Sequence, residues 1–140
     1  MVAGCRMYLG HIMNRASQFA EAELEARAAL EIVADSKYAP FAWAILARAL
    51  LGQDKLVEAM EAIAEATAET RLAEGWAWIA VVEAEIALRF DDRPRAARIV
   101  ATACAEIEAR AGKLEPAHRD AYRTGVEAHA RLIELASALR

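Results

Sequence analysis

The chain has 140 residues, of which 36 are Ala and 16 Glu, against only 6 Gly and 3 Pro. So many helix formers and so few breakers exclude a β-sandwich or an α/β sheet and predict an all-α chain of one domain. A net charge of −4 argues against a general nucleic-acid binder, which carries a basic face.

Breakers divide the chain into seven predicted helices, near 3–15, 18–33, 39–51, 54–70, 74–89, 93–111 and 116–139. Ser17 stands as an N-cap candidate for the second helix and Asp54 for the fourth. Pro40 suits a first helical turn. Asp91-Asp92-Arg93-Pro94 pairs a capping carboxylate with a first-turn proline, and Gly112-Lys113 followed by Pro116 closes one helix and opens the last. Tight gaps within pairs predict antiparallel hairpins over 3–36, 39–73 and 74–111, with 116–139 as a closing helix.

The hairpins repeat. Trp43, Leu46, Ala47 and Leu50 form W-x2-L-A-x2-L, followed by Ala59, Ile63 and Ala66. Leu9-Gly10 and Met13 take the matching places in the first pair, followed by Ala22, Ala26 and Ala29. The third pair matches more loosely, with Val81, Ala84 and Leu88, then Ala97, Ala101 and Cys104; Glu85 stands where Gly or Ala is expected. Small residues at mid-helix let two backbones approach, while large ones fill the grooves between hairpins. One hairpin cannot bury its apolar face alone, so stacking builds the core.

This pattern resembles the tetratricopeptide repeat family, W-x2-L-G-x2-Y…A-x3-F, over about residues 3–111. The markers Ala22, Ala59 and Ala97 are spaced 37 and 38 apart, longer than the usual 34, as in the degenerate repeats of bacterial regulators. The resemblance implies a right-handed superhelical array of three hairpins plus a C-terminal capping helix. It also implies a non-catalytic scaffold of a signalling or transcription-regulatory protein that binds a protein or peptide in a concave groove.

In that register the groove-facing residues are Met7, His11, Asn14 and Arg15 in the first pair, Phe41, Ala44, Arg48 and Leu51 in the second, and Ile79, Val82, Ile86 and Arg89 in the third. Apolar positions with Arg among them suit a peptide with apolar anchors and acidic character. Trp76 and Trp78, two apart, point to different faces of the fifth helix. The acidic second helices of the first two pairs read as solvated faces.

No catalytic motif is present. His11, His118 and His129 lie in separate segments and read as ordinary surface or edge residues, and no P-loop, C-x-x-C or H-E-x-x-H occurs. No cofactor and no metal are expected. Cys5 and Cys104 read as reduced thiols in apolar surroundings. The opening residues lack a signal-peptide pattern and no apolar run is long enough to span a membrane, so a cytoplasmic protein is expected. Two other roles fit the same composition: a small-molecule-sensing helical domain, and a homodimer paired through the exposed first hairpin.

Overall fold

The computed structural model describes residues 2–68 and 74–140. Among them lie eight helices and no strand: α1 (Val2–Arg15), α2 (Phe19–Val33), α3 (Ala39–Gly52), α4 (Leu56–Thr67), α5 (Trp76–Arg89), α6 (Arg93–Ala111), α7 (Pro116–Thr124) and α8 (Glu127–Ala138). They pack as adjacent antiparallel pairs. The predicted end of the second hairpin, residues 69–73, lies outside the described residues. No described helix is long and apolar enough to cross a membrane.

Contacts divide the chain into two compact units, residues 1–82 and 83–140. In the first, α1 packs on α2 and α3, α2 on α3, and α3 on α4. In the second, α6, α7 and α8 pack on one another.

The repeat is stricter in space than the sequence suggests. α1, α3 and α5 begin at residues 2, 39 and 76, and α2, α4 and α6 at 19, 56 and 93, so each step is 37 residues. The same turn joins each pair. Ser17, Asp54 and Asp91, again 37 apart, all adopt left-handed backbone, with φ of 60°, 59° and 59°. Each donates its N–H three residues back, to the carbonyls of Asn14, Leu51 and Leu88, at 3.0–3.1 Å. The next residue donates five back, Gln18 to Met13, Lys55 to Leu50 and Asp92 to Ala87, at 2.8–3.0 Å. These paired bonds satisfy the last carbonyls of the first helix in the Schellman arrangement. Asp tolerates the left-handed region better than most side chains, which suits the residue types found there.

Two sequence expectations about caps are corrected by this turn. Ser17 and Asp54 end the preceding helix rather than cap the next, and the N-cap positions fall on Gln18 and Lys55, which make no side-chain cap bond. Asp92 is a true cap, accepting from the Arg95 N–H at 3.1 Å ahead of Pro94.

The third register is also corrected, by one residue. Ala22/Ala26/Ala29, Ala59/Ile63/Ala66 and Ala96/Val100/Ala103 are all buried at the same +4 and +7 offsets. Ala97 and Cys104 are only half-buried, and Ala101 is exposed. Ala84, buried 37 residues after Ala47, holds the small-residue place that the sequence reading found filled by Glu85. Glu85 is half-buried and pairs with Arg131 at 3.3 Å. An alanine run such as Ala96-Ala97 offers two registers of equal composition, and only packing selects between them.

The single closing helix expected over 116–139 is two helices. Thr124-Gly125-Val126 interrupts it: Val126 is extended, with φ −93° and ψ 118°. A Cβ on Gly125 would lie 2.6 Å from the Ala121 carbonyl. α7 is tied to α6 by the Arg123 guanidinium, which donates two bonds of 2.9 Å to the Glu108 carboxylate. The joint is closed by His129, which is buried rather than the surface or edge residue expected there. Its Nδ1 lies 2.7 Å from the Tyr122 carbonyl and its ring 4.6 Å from that of Tyr122.

Within the first unit a polar clasp joins the two hairpins. Glu23 on α2 takes Arg27 at 2.9 Å, Lys55 at 3.0 Å and Gln53 at 2.7 Å. Burial pushes the Glu23 carboxyl up, but the bonds from Lys55, Gln53 and Arg27 outweigh it and hold the group below its ordinary value. Beside the clasp the Phe19 ring lies flat against Gly52, where a Cβ would come within 2.4 Å of the ring, and Arg48 covers that ring at 5.0 Å.

Candidate functional site

The repeat places Gly4, Phe41 and Trp78 at one equivalent position on α1, α3 and α5, 37 residues apart. Around this position the first unit gathers four ring side chains. The Tyr8 and His11 rings pack on Phe41 at 6.1 and 6.0 Å, and His11 meets Trp78 edge-on at 5.0 Å. These distances and tilts are those that aromatic quadrupoles favour. Phe41 forms the buried floor, His11 and Trp78 are half-buried, and Tyr8 is 53% exposed. The Tyr8 hydroxyl donates to the Glu74 carboxylate at 3.4 Å, which sets an acid at the rim.

A glycine shapes this patch. Gly75 has φ of +80°, a conformation that glycine adopts freely, and a Cβ there would lie 2.5 Å from the Phe41 ring. Gly4, at the equivalent position of α1, is the opposite case: a Cβ there would meet nothing within 4 Å.

Of the predicted groove residues, only His11 and Phe41 belong to this cluster. Met7, Asn14, Ala44, Leu51, Ile79, Val82 and Ile86 are buried, a correction to their expected place on an open groove. A helix with neighbours on both sides buries most of its circumference, so positions beside the core stripe are core as well. Asn14 shows this plainly: its Nδ2 donates to the Ile45 carbonyl at 3.0 Å, and its buried Oδ1 has no hydrogen-bond partner among the described residues. The Arg48 guanidinium lies over the Phe19 ring at 5.0 Å. Arg15 and Arg89 are exposed, and Ile86 and Arg89 belong to the second unit. Tyr8 was missed by the sequence reading, and Trp78 was singled out there with Trp76 but not placed among the groove residues. The 37-residue step from Phe41 to Trp78 is the signal that could have found Trp78.

The patch carries rings and one carboxylate. It is suited to apolar, proline or cationic side chains laid on the ring faces. Among the described residues no group of three or more His, Cys, Asp or Glu could hold a metal ion. Cys5 is exposed, not set in apolar surroundings as its sequence context suggested. Cys104 is half-buried; burial and then the nearby Glu108 carboxylate push its thiol up, against an opposing effect of Arg140, so it is a poor nucleophile at neutral pH.

No protein-family model, curated protein or solved structure matches the chain.

Proposed function

We propose that the chain is a non-catalytic protein-interaction module of the tetratricopeptide kind, in which successive hairpins stack as a right-handed superhelix and the first helices present a binding face. The observation that supports this reading most directly is the triple recurrence, every 37 residues, of one hairpin turn with the same left-handed residue and the same paired bonds. Such repetition is the mark of a stacked scaffold whose surface carries the role. The binding face on this reading is the patch of Tyr8, His11 and Trp78 over Phe41, and the ligand is a peptide or protein segment with an apolar, proline or basic anchor. A place within a bacterial signalling or transcription regulator is part of the same proposal.

The experiment is selection of peptides from a displayed random library on the wild-type chain, followed by titration against Trp78→Ala and Tyr8→Ser. These side chains are partly exposed, so both variants should keep their helical content. Selected peptides should bind each variant about ten-fold or more weakly, the loss typical of an aromatic anchor. Equal binding to wild type and both variants, or no enrichment at all, would remove the patch from the account.

A further inference from the structure

One carboxylate stands at the rim of the Tyr8, His11, Phe41 and Trp78 rings, that of Glu74. Gly75 puts it there. Its φ of +80° turns the chain tightly over the Phe41 ring, which a Cβ at this position would approach to 2.5 Å. The residue before the turn is thereby held at the edge of the ring cluster, and the Tyr8 hydroxyl donates to its Oε1 at 3.4 Å. Glu74 is exposed, and among the described residues no Lys, Arg or His pairs with it.

Two other rings of the chain have a cation of their own. The Arg48 guanidinium lies 5.0 Å from the centre of Phe19, and the Lys37 ammonium 5.2 Å from that of Tyr38. Among the described residues no Lys or Arg lies over Tyr8, Phe41 or Trp78. Ring faces are electron-rich and a carboxylate is fully charged, so both attract the same kind of group. The wider charge runs the same way. Residues 1–82 hold 11 Asp and Glu against 7 Lys and Arg, while residues 83–140 hold 10 of each, so the net charge of −4 falls on the unit that carries the patch.

These features separate the three kinds of anchor. An aliphatic or proline side chain would use the rings but would desolvate the Glu74 carboxylate without pairing it, which costs free energy. An ammonium is compact and strongly hydrated. A guanidinium lies flat on a ring and turns its N–H fork to a carboxylate. Arg48 over Phe19 is the same contact made within the chain.

We infer that the patch takes an arginine side chain of a partner peptide, its guanidinium laid on the ring cluster and its N–H fork on Glu74. The assignment rests on the binding face proposed above and specifies its anchor. The experiment pans three displayed peptide libraries on the full chain, each random except for a central residue fixed as Arg, Pro or Leu. The Arg library should supply the binders. A synthetic binder should lose about ten-fold in affinity when its Arg is replaced by citrulline, which keeps the shape and loses the charge. It should bind Glu74→Gln about five-fold more weakly. That variant keeps an acceptor for the Tyr8 hydroxyl at an exposed site, so its helical spectrum should match wild type. Binders from the Pro or Leu library that Trp78→Ala weakens and Glu74→Gln does not would overturn the arginine assignment and leave the binding face standing. An Arg binder that tolerates citrulline or Glu74→Gln would do the same. Arg binders indifferent to Trp78→Ala, or no binders from any library, would remove the binding face and the arginine with it.

Discussion

Glu23, on the second helix of the first hairpin, accepts a 2.7 Å hydrogen bond from Gln53, in the turn of the second. The same Gln53 amide also donates to the Ala49 carbonyl at 3.1 Å and to the Phe19 carbonyl at 3.3 Å, so one side chain stitches two backbone carbonyls and a carboxylate together. Glu23→Gln should destabilise the first unit by about 1–2 kcal/mol at pH 7, the usual worth of hydrogen bonds to a largely buried charge. The Glu23 carboxyl is held below its ordinary 4.5 in the folded chain. Its contribution is therefore full above that value and is lost as pH falls through the lower, folded one. Thermal melts of wild type and Glu23→Gln should differ at pH 7 and converge once the pH is well below 4.5. A gap that persists at low pH would assign the loss to something other than the ionised carboxylate.

Gly52 should resist replacement even though it sits at a helix end where Ala is the better helix former. Ala would place its Cβ within 2.4 Å of the Phe19 ring, which Arg48 holds down from above. We expect Gly52→Ala to lower stability by about 1–3 kcal/mol, as overpacking does. Phe19→Leu in the same chain should recover part of that loss. Denaturant unfolding of the single and double variants measures the coupling, and additive losses would mean that the two residues do not clash.

The three left-handed turn residues should answer alike. Ser17→Gly and Asp91→Gly should leave stability unchanged or raise it by up to about 1 kcal/mol, since relief of backbone strain outweighs the entropy glycine adds to the unfolded chain. Ser17→Val and Asp91→Val should each lower it by about 1–3 kcal/mol, because a β-branched side chain fits this region poorly. Opposite signs at the two sites, read by thermal melting, would show that the turns are not energetically equivalent.

Asn14 stands where the next two repeats have Leu51 and Leu88. Its Oδ1 is buried without a partner among the described residues, which costs about 1–3 kcal/mol. Asn14→Leu should raise stability by about 1 kcal/mol despite losing the bond to the Ile45 carbonyl, and Asn14→Ala should lower it. A destabilised Asn14→Leu chain would mean that the amide bond to Ile45 outweighs the orphaned oxygen.

Much of the architecture was legible before any coordinates. Trp43, Leu46, Ala47 and Leu50 with Ala59, Ile63 and Ala66 marked one hairpin, because small and large residues at helical spacing leave little choice of buried face. The break inside the last helix was harder to see. Gly125 is a weak signal in an otherwise helical segment, and the buried His129 that closes the joint reads in isolation as an ordinary polar residue. The candidate site was the least legible part. His11 and Phe41 were placed on it, but Met7, Asn14 and Leu51 proved to be core.

Composition and periodicity by themselves determined that the chain is helical, that its helices pair, and that the pairs recur. Those properties follow from local propensity and from which residues must leave water. Tertiary structure alone decided the register of the third hairpin, where Ala96 and Ala97 are interchangeable in composition but only one faces its neighbour. It also decided which rings meet, because Tyr8, His11, Phe41 and Trp78 lie on three different helices. Periodicity specifies one face of a helix at a time; the second face is assigned only when a neighbour covers it or leaves it bare.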